Sequence, residues 1–148
     1  MVVHTRRVWQ SWLAAMFILV CQVKSGAALA SAPPESIPGV KTVTAEQLIE
    51  LAGSKPDLVV IDARMSGDLK NGFIEGSVNL PDIDTNCESL AGIISKKDVP
   101  SLFYCNGVKC GRSAKAVKVA HSCGYQNLYW FRGGFEEWSE KGYPYFRQ

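Results

Sequence analysis

Short runs of apolar residues alternate along the chain with stretches in which apolar residues recur at helical spacing. The runs at 58–61, 102–104 and 128–130 are rich in β-branched or aromatic residues. Continuous apolar runs of this length predict strands that are buried on both faces, as the strands of a parallel sheet are.

Helix starts are marked by capping residues. Thr44 and Gln47 form a capping box before an apolar face, and Gly53 ends the predicted helix. A second box, opened by Thr85 with Glu88, predicts a helix to about residue 95. Helical spacing continues in two further segments, 113–123 and 135–141.

Strands thus alternate with helices through short loops. This alternation is typical of an α/β domain in which a central parallel sheet carries helices on both faces. Ligands of such sheets bind at the carboxyl ends of the strands. Cys105 falls at such an end, directly after the run at 102–104.

The composition fits one globular domain. Of 148 residues, 47% are apolar and 20% are charged. Residues 1–30 hold three of the 16 basic side chains and none of the 14 acidic ones, so the remainder is nearly neutral. A nucleic-acid partner is therefore not expected.

The first 30 residues have the pattern of a secretory signal peptide. Arg6 and Arg7 precede an unbroken apolar run at 12–21, and Ala28-Leu29-Ala30 predicts cleavage before Ser31. The alternative is an uncleaved anchor that faces the periplasm, although the run is short for a span of roughly 20 residues. We expect an exported, periplasmic protein in an oxidising compartment, a linker at 31–40, a domain at 41–148, and membrane contact only if the first segment is retained.

The loop after Cys105 has the features of an anion site. Gly107 and Gly111 permit tight turns, and successive amides in such a turn can form an anion-binding nest. The start of the next helix near Arg112, and the charge of Lys109, add positive potential. These features predict a lowered pKa and a reactive thiolate at Cys105.

Four segments, in order, resemble the rhodanese domain of sulfurtransferases over residues 43–145. The segments are VIDAR at 60–64, GFIEGSVNLP at 72–81, YC…GRS within 104–113, and LYW…GG…W within 128–138. The resemblance implies the three-layer α/β fold of that family.

The resemblance also implies a reaction. The Cys105 thiolate would attack the sulfane sulfur of a small anionic donor such as thiosulfate, and a thiol or cyanide-like acceptor would then take the sulfur from the Cys105 persulfide. No metal and no organic cofactor is required. The expected persulfide-binding loop consists of Asn106, Gly107, Val108, Lys109, Cys110, Gly111, Arg112 and Ser113.

Two positions depart from the family pattern. Arg112 lies seven positions after Cys105, which makes the loop two residues longer than the family's C-x-x-x-x-R. The loop also differs from the C-x5-R loop of related phosphatases. Phe73 stands where the family commonly has histidine, and that histidine is mostly structural.

Other residues leave alternatives open. Cys110 is either a resolving thiol, which attacks a Cys105 persulfide or closes a disulfide with Cys105, or a residue that only lines the pocket. Asp62 and Arg64 are interpreted as a structural pair near the site. Cys123 is expected in the core and Cys87 has no assigned role. Trp130, Phe131 and Trp138 are interpreted as core and rim packing, and no metal site is assigned because the Cys/His spacing fits no zinc pattern.

Two rival functions remain beside sulfur transfer. One is a thiol–disulfide redox or sensing protein that uses Cys105 and Cys110 as a pair. The other is a non-catalytic binding module that retains the rhodanese scaffold.

Overall fold

The computed structural model describes residues 32–148. The predicted signal segment and its cleavage before Ser31 lie outside these residues. No helix in the described range is both long and apolar enough to cross a membrane.

The described residues form five strands, four α-helices and one 3-10 helix. In chain order they are β1 (Lys41–Val43), α1 (Ala45–Ser54), β2 (Val59–Asp62), the 3-10 helix (Ser66–Asn71), β3 (Val78–Asn79), α2 (Cys87–Ile93), β4 (Ser101–Tyr104), α3 (Arg112–Ser122), β5 (Leu128–Phe131) and α4 (Gly134–Glu140).

All strand pairs are parallel, and the strand order is β1-β5-β4-β2-β3. The register aligns Asp62, Tyr104 and Phe131, so the carboxyl ends of β2, β4 and β5 meet at one edge. The predicted α/β class with a central parallel sheet is confirmed. β1 and β3 escaped prediction because segments of three and two residues are too short for a periodic signal.

Each face of the sheet carries its own core, which makes the fold three-layered. One core joins α2 and α3 to the sheet and includes Ile61, Phe103 and Trp130. The other joins α1 and α4 to the opposite face and includes Tyr104 and Phe131. Successive strand residues point to opposite faces, so β2, β4 and β5 each contribute to both cores.

Of the two predicted helix caps, the first is confirmed and the second is wrong. The box of Thr44 and Gln47 is present, with both reciprocal bonds. The cap of α2 is Asn86, whose side chain accepts from two backbone amides, so the prediction of Thr85 as the cap is wrong. Asn caps more strongly than Thr. The Thr85 hydroxyl instead donates to the Pro81 carbonyl at 2.9 Å.

The predicted linker contacts the domain. Ile37 is 5% exposed and belongs to the core under α3. Nε of Arg132 donates to the Pro34 carbonyl at 3.0 Å. The end of this segment therefore lies against the same part of the domain as α3.

Cys87 and Cys123 form a disulfide, with their Cα atoms 5.5 Å apart. Cys123 packs against the core as expected, but its bond with Cys87, to which the sequence assigned no role, was not predicted. α2 and α3 pack on the same face of the sheet, which brings the first residue of α2 beside the end of α3.

We expect this disulfide to stabilise the domain by about 4 kcal/mol, because it closes a loop with a sequence separation of 36 and so constrains the unfolded chain. Urea unfolding of the wild type with and without reductant measures the effect. The Cys87→Ala/Cys123→Ala double variant is the control and should not respond to reductant. An equal response of both proteins would contradict this assignment.

Candidate active site

Cys105 follows β4, the middle strand of the sheet, and its backbone is held by the start of α4. Its carbonyl accepts from the Phe135 amide at 2.8 Å, and the Asn106 carbonyl accepts from the Glu136 amide at 2.7 Å. Gly134 allows this approach: its φ is +61°, and a Cβ there would lie 2.3 Å from the Cys105 carbonyl oxygen.

The loop turns back towards its own start before α3 begins. The Cys110 amide donates to the Gly107 carbonyl at 2.9 Å, which closes a turn. Val108 and Lys109 are exposed at its tip, and Cys110 is partly buried. Cys110 is thereby folded over Cys105.

The Cys105 thiol is buried, with the residue 1% exposed. It donates to the Cys110 carbonyl, with Sγ and O 3.2 Å apart. The Ser113 hydroxyl donates to Cys105 Sγ over 3.1 Å, and Nε1 of Trp130 donates to Ser113 Oγ over 2.9 Å. Because the indole N–H occupies an acceptor position of Ser113, the hydroxyl proton is directed at the sulfur.

The surroundings raise the pKa of Cys105. The main cause is its hydrogen bond with the Cys110 side chain, followed by burial; Ser113 acts in the opposite direction through its hydroxyl and its amide. The predicted lowering of the pKa of Cys105 is therefore wrong in this arrangement. A buried thiol that donates a hydrogen bond is stabilised in its neutral form.

Cys110 receives the electrostatic effect that the sequence predicted for Cys105. Its pKa is lowered to about 6, chiefly by the hydrogen bond with the Cys105 side chain. The backbone amides of Arg112 and Asn106 and the charge of Arg112 contribute, while partial burial opposes them. The nest of amides thus holds the sulfur of Cys110.

The two thiols form one titrating unit. Because each forms a hydrogen bond with the other, the first proton leaves readily and the second is retained. At neutral pH the pair carries one negative charge and one proton. Cys110 is the thiolate and Cys105 is the hydrogen-bonding thiol.

The basic residues near the loop are largely paired. A guanidinium nitrogen of Arg112 lies 3.1 Å from Asp68, and its Nε lies 3.8 Å from Asp82. Lys115 also lies 3.1 Å from Asp82. The carboxylates offset much of the positive charge that was expected to attract an anionic donor. Lys109 stays exposed at the loop tip.

A buried polar cluster lies beneath the loop. Asp62 and Arg64 form an ion pair whose two side chains are each 1% exposed. The Tyr104 hydroxyl donates to Asp62 at 2.7 Å, and Arg64 donates to the Gly72 carbonyl at 2.8 Å. These contacts join the ends of β2 and β4, and none of them reaches the Cys105 sulfur. This is the arrangement that the interpretation of Asp62 and Arg64 as a structural pair requires.

Sequence reasoning missed several residues that shape the site. Trp130 was interpreted as packing, although a buried indole N–H usually has a partner, and that was the available signal. Asp68 and Asp82 carry no local signal, because their contact with Arg112 depends on the packing of distant segments.

We expect the pH profile of alkylation to distinguish the two thiols. Cys110 should react with iodoacetamide with a midpoint near pH 6, since its thiolate persists above that pH and is protonated below it. Cys105 should react slowly over the same range. Mass spectrometry of the digested protein measures each site, and the denatured protein is the control, with a midpoint near the ordinary value of about 8.5. A native Cys110 midpoint at that ordinary value would contradict the arrangement.

We expect Gly134→Ala to displace the loop. The added Cβ meets the Cys105 backbone, so the loss in unfolding free energy should exceed the roughly 1–2 kcal/mol that a positive φ costs an alanine. Gly142→Ala is the matched control, because Gly142 has φ +71° and open space around its Cβ position. Denaturant unfolding and the Cys110 alkylation profile provide the measurements. Equal losses in both variants would contradict the close approach.

Comparison with known proteins supports an assignment by family. The family model of the rhodanese-like domain matches residues 44–141. Rhodanese domain-containing protein CG4456 of Drosophila melanogaster is 33% identical over 97 residues, which cover 58% of this chain and 86% of that protein. Thiosulfate sulfurtransferase GlpE of Shewanella oneidensis is 29% identical over 103 residues, which cover 68% of this chain and 93% of that protein.

Solved structures share the fold. The polysulfide-sulfur transferase homodimer from Wolinella succinogenes superposes with a TM-score of 0.62 at 22% identity, over 74% of this chain and 80% of that chain. Human single-domain sulfurtransferase TSTD1 superposes with a TM-score of 0.57 at 24% identity, over 69% of this chain and 97% of that chain. With the family model matching most of the described residues, the chain belongs to the rhodanese-like domain family.

Proposed function

We propose that this protein is a sulfurtransferase that moves a sulfane sulfur from a small anionic donor to a thiophilic acceptor through a persulfide on Cys105. The observation that carries the proposal is the position of the Cys105 thiol. It lies at the carboxyl end of β4, and the hydroxyl of Ser113 in the first turn of α3 donates to its sulfur. Family membership, which includes relatives named as sulfurtransferases, supports the same reaction.

Cys110 supplies the base for the first step. Its thiolate accepts the proton of Cys105 when a donor binds, since the Cys105 thiol already donates to the same residue, whose carbonyl lies 3.2 Å from Sγ. The new Cys105 thiolate attacks the sulfane sulfur of thiosulfate. The S–S bond of the donor breaks, and sulfite leaves with the bonding electron pair. Cys105 then carries the persulfide and Cys110 carries the proton.

The surroundings of Cys105 favour the anionic persulfide. Ser113 donates to the inner sulfur, and the amides of Asn106 and Arg112 are available to the outer sulfur once Cys110 is protonated. The start of α3, an 11-residue helix, adds a partial positive charge. An acceptor thiol or a cyanide-like nucleophile then removes the outer sulfur.

The proposal includes export to an oxidising compartment. The signal-like segment at 1–30 and the Cys87–Cys123 disulfide both favour a periplasmic protein, because structural disulfides persist in such compartments. An uncleaved anchor that faces the periplasm stays the alternative. No nucleic-acid partner and no cofactor enters the proposed reaction.

The contact between the two thiols favours a second candidate function. A buried thiol beside an ionised, partly exposed one is the arrangement of a dithiol that forms and breaks a disulfide. Cys105 and Cys110 would then act as a thiol–disulfide redox or sensing pair without sulfur transfer.

Mixing the reduced chain with thiosulfate tests the proposal. We expect a stoichiometric burst of sulfite from the wild type, a slower burst of the same size from Cys110→Ser, which lacks the base, and none from Cys105→Ser, because only Cys105 carries the sulfur. Intact mass should show Cys110→Ser heavier by one sulfur atom. Absence of the burst and of the mass gain in wild type and Cys110→Ser alike would contradict sulfur transfer and favour the redox candidate.

A further inference from the structure

Cys110 lies against Cys105 in the folded loop. In the described part of the chain, Cys105 and Cys110 are the free cysteines, and the Cys110 carbonyl lies 3.2 Å from Cys105 Sγ. The amides of Asn106 and Arg112 contribute to the lowered pKa of Cys110. A persulfide on Cys105 therefore forms next to a residue that carries a second, acidic thiol.

The burial of the two sulfurs decides which nucleophile reaches the persulfide first. Cys105 is 1% exposed, and the Cys110 carbonyl lies 3.2 Å from its Sγ. Cys110 is partly exposed. An external thiol must reach a sulfur that is almost fully buried, whereas Cys110 already contacts it through its carbonyl. Thiol–disulfide chemistry runs through the thiolate, and Cys110 holds the negative charge of the pair.

We propose that Cys110 is the resolving thiol of this site: its sulfur attacks Sγ of the Cys105 persulfide, expels the outer sulfur as hydrosulfide and closes a Cys105–Cys110 disulfide. This inference rests on the proposed function, since it requires the persulfide on Cys105. It makes the loop its own acceptor, and the product is sulfide rather than a sulfurated external thiol.

The step balances with the groups already present. The proton that Cys110 took from Cys105 passes to the outer sulfur, and the Cys110 thiolate then attacks Sγ of Cys105. The new S–S bond joins the two cysteines, and the old S–S bond breaks with its electron pair on the leaving sulfur, which departs as HS⁻. The sulfane sulfur is reduced, and the two cysteine sulfurs are oxidised to a disulfide.

A second turnover requires an external dithiol that reduces the Cys105–Cys110 disulfide. Its thiolate attacks Cys110 Sγ, the more exposed sulfur of the bond, and its own second thiol completes the exchange. The reaction as a whole consumes an anionic sulfane-sulfur donor and a dithiol, and it yields sulfide, sulfite and a disulfide.

The longer loop explains why Cys110 can attack a persulfide on Cys105 in this protein. Arg112 stands two residues further from the cysteine than in the family's usual loop, and Cys110 lies within that longer segment. The turn between Gly107 and Cys110 folds it back over Cys105. The extra length therefore places a second sulfur against the first.

The test compares the wild type, Cys110→Ser and Cys105→Ser, each reduced, freed of reductant under anaerobic conditions and mixed with thiosulfate. We expect one sulfide per chain from the wild type, released with the sulfite burst. Cys110→Ser should release sulfite more slowly, because it lacks the base, release no sulfide and retain the sulfur as a stable persulfide. Cys105→Ser should release neither product. Circular dichroism of all three proteins checks that they share one fold.

Peptide mapping provides an independent readout. Trypsin cuts after Lys109 and separates Cys105 from Cys110, so a disulfide between them links residues 98–109 to residues 110–112. We expect this linked peptide in the wild type only after thiosulfate. Cys87 and Cys123 fall in other tryptic peptides, so their bond does not interfere.

Failure of the inference is distinct from failure of the proposed function. A wild type that keeps its persulfide, releases no sulfide and shows no linked peptide would overturn the resolving step and leave sulfur transfer intact. Sulfide release from Cys110→Ser at the wild-type level would overturn it as well. Absence of sulfite release from the wild type, together with absence of sulfur on both the wild type and Cys110→Ser, would overturn the proposed function itself. Sulfur found on Cys110 in Cys105→Ser would overturn the assignment of the carrier.

Discussion

The titrations of Cys105 and Cys110 are coupled at the carboxyl end of the central strand, and the proposed chemistry of the site depends on that coupling. A lone thiol at Cys105 would meet burial on one side and the Cys110 carbonyl on the other, and both disfavour its thiolate. Cys110 carries the negative charge instead, at a position where backbone amides and Arg112 stabilise it. The negative charge is then one proton transfer away from Cys105, which is the sulfur that the scaffold positions.

The scaffold fixes that geometry from three directions. β4 delivers Cys105, α3 delivers Ser113 and Arg112, and α4 binds the loop carbonyls with its first amides. The relay from Trp130 through Ser113 directs one hydroxyl proton at the Cys105 sulfur. Buried polar groups are compatible with a stable fold only when each has a hydrogen-bond partner. No buried side-chain nitrogen or oxygen among the described residues lacks one.

Carboxylates paired with Arg112 limit the positive charge that the loop presents to an anionic donor. Arg112 would be a strong anion site if it were unpaired, but Asp68 and Asp82 hold it at one side of the loop. Its field still reaches Cys110, whose pKa it helps to lower. The arrangement thus uses a cation mainly to stabilise an internal thiolate. This agrees with the proposal that Cys110, within the loop, acts in place of an external acceptor. A separate disulfide, Cys87–Cys123, joins α2 to α3.

Local patterns were sufficient for the order of strands and helices, for the cap at Thr44 and for a cysteine at a strand end, because hydrophobic periodicity and capping act over a few neighbouring residues. The motif set was sufficient for the family. The pairing of Cys87 with Cys123 was not readable, since 36 positions separate them and only the packing of α2 on α3 joins them. The acidity of Cys110 was assigned to Cys105 for the same reason. Electrostatic effects on a thiol depend on distances of a few ångström between groups from different segments, and those distances exist only once the tertiary structure has formed.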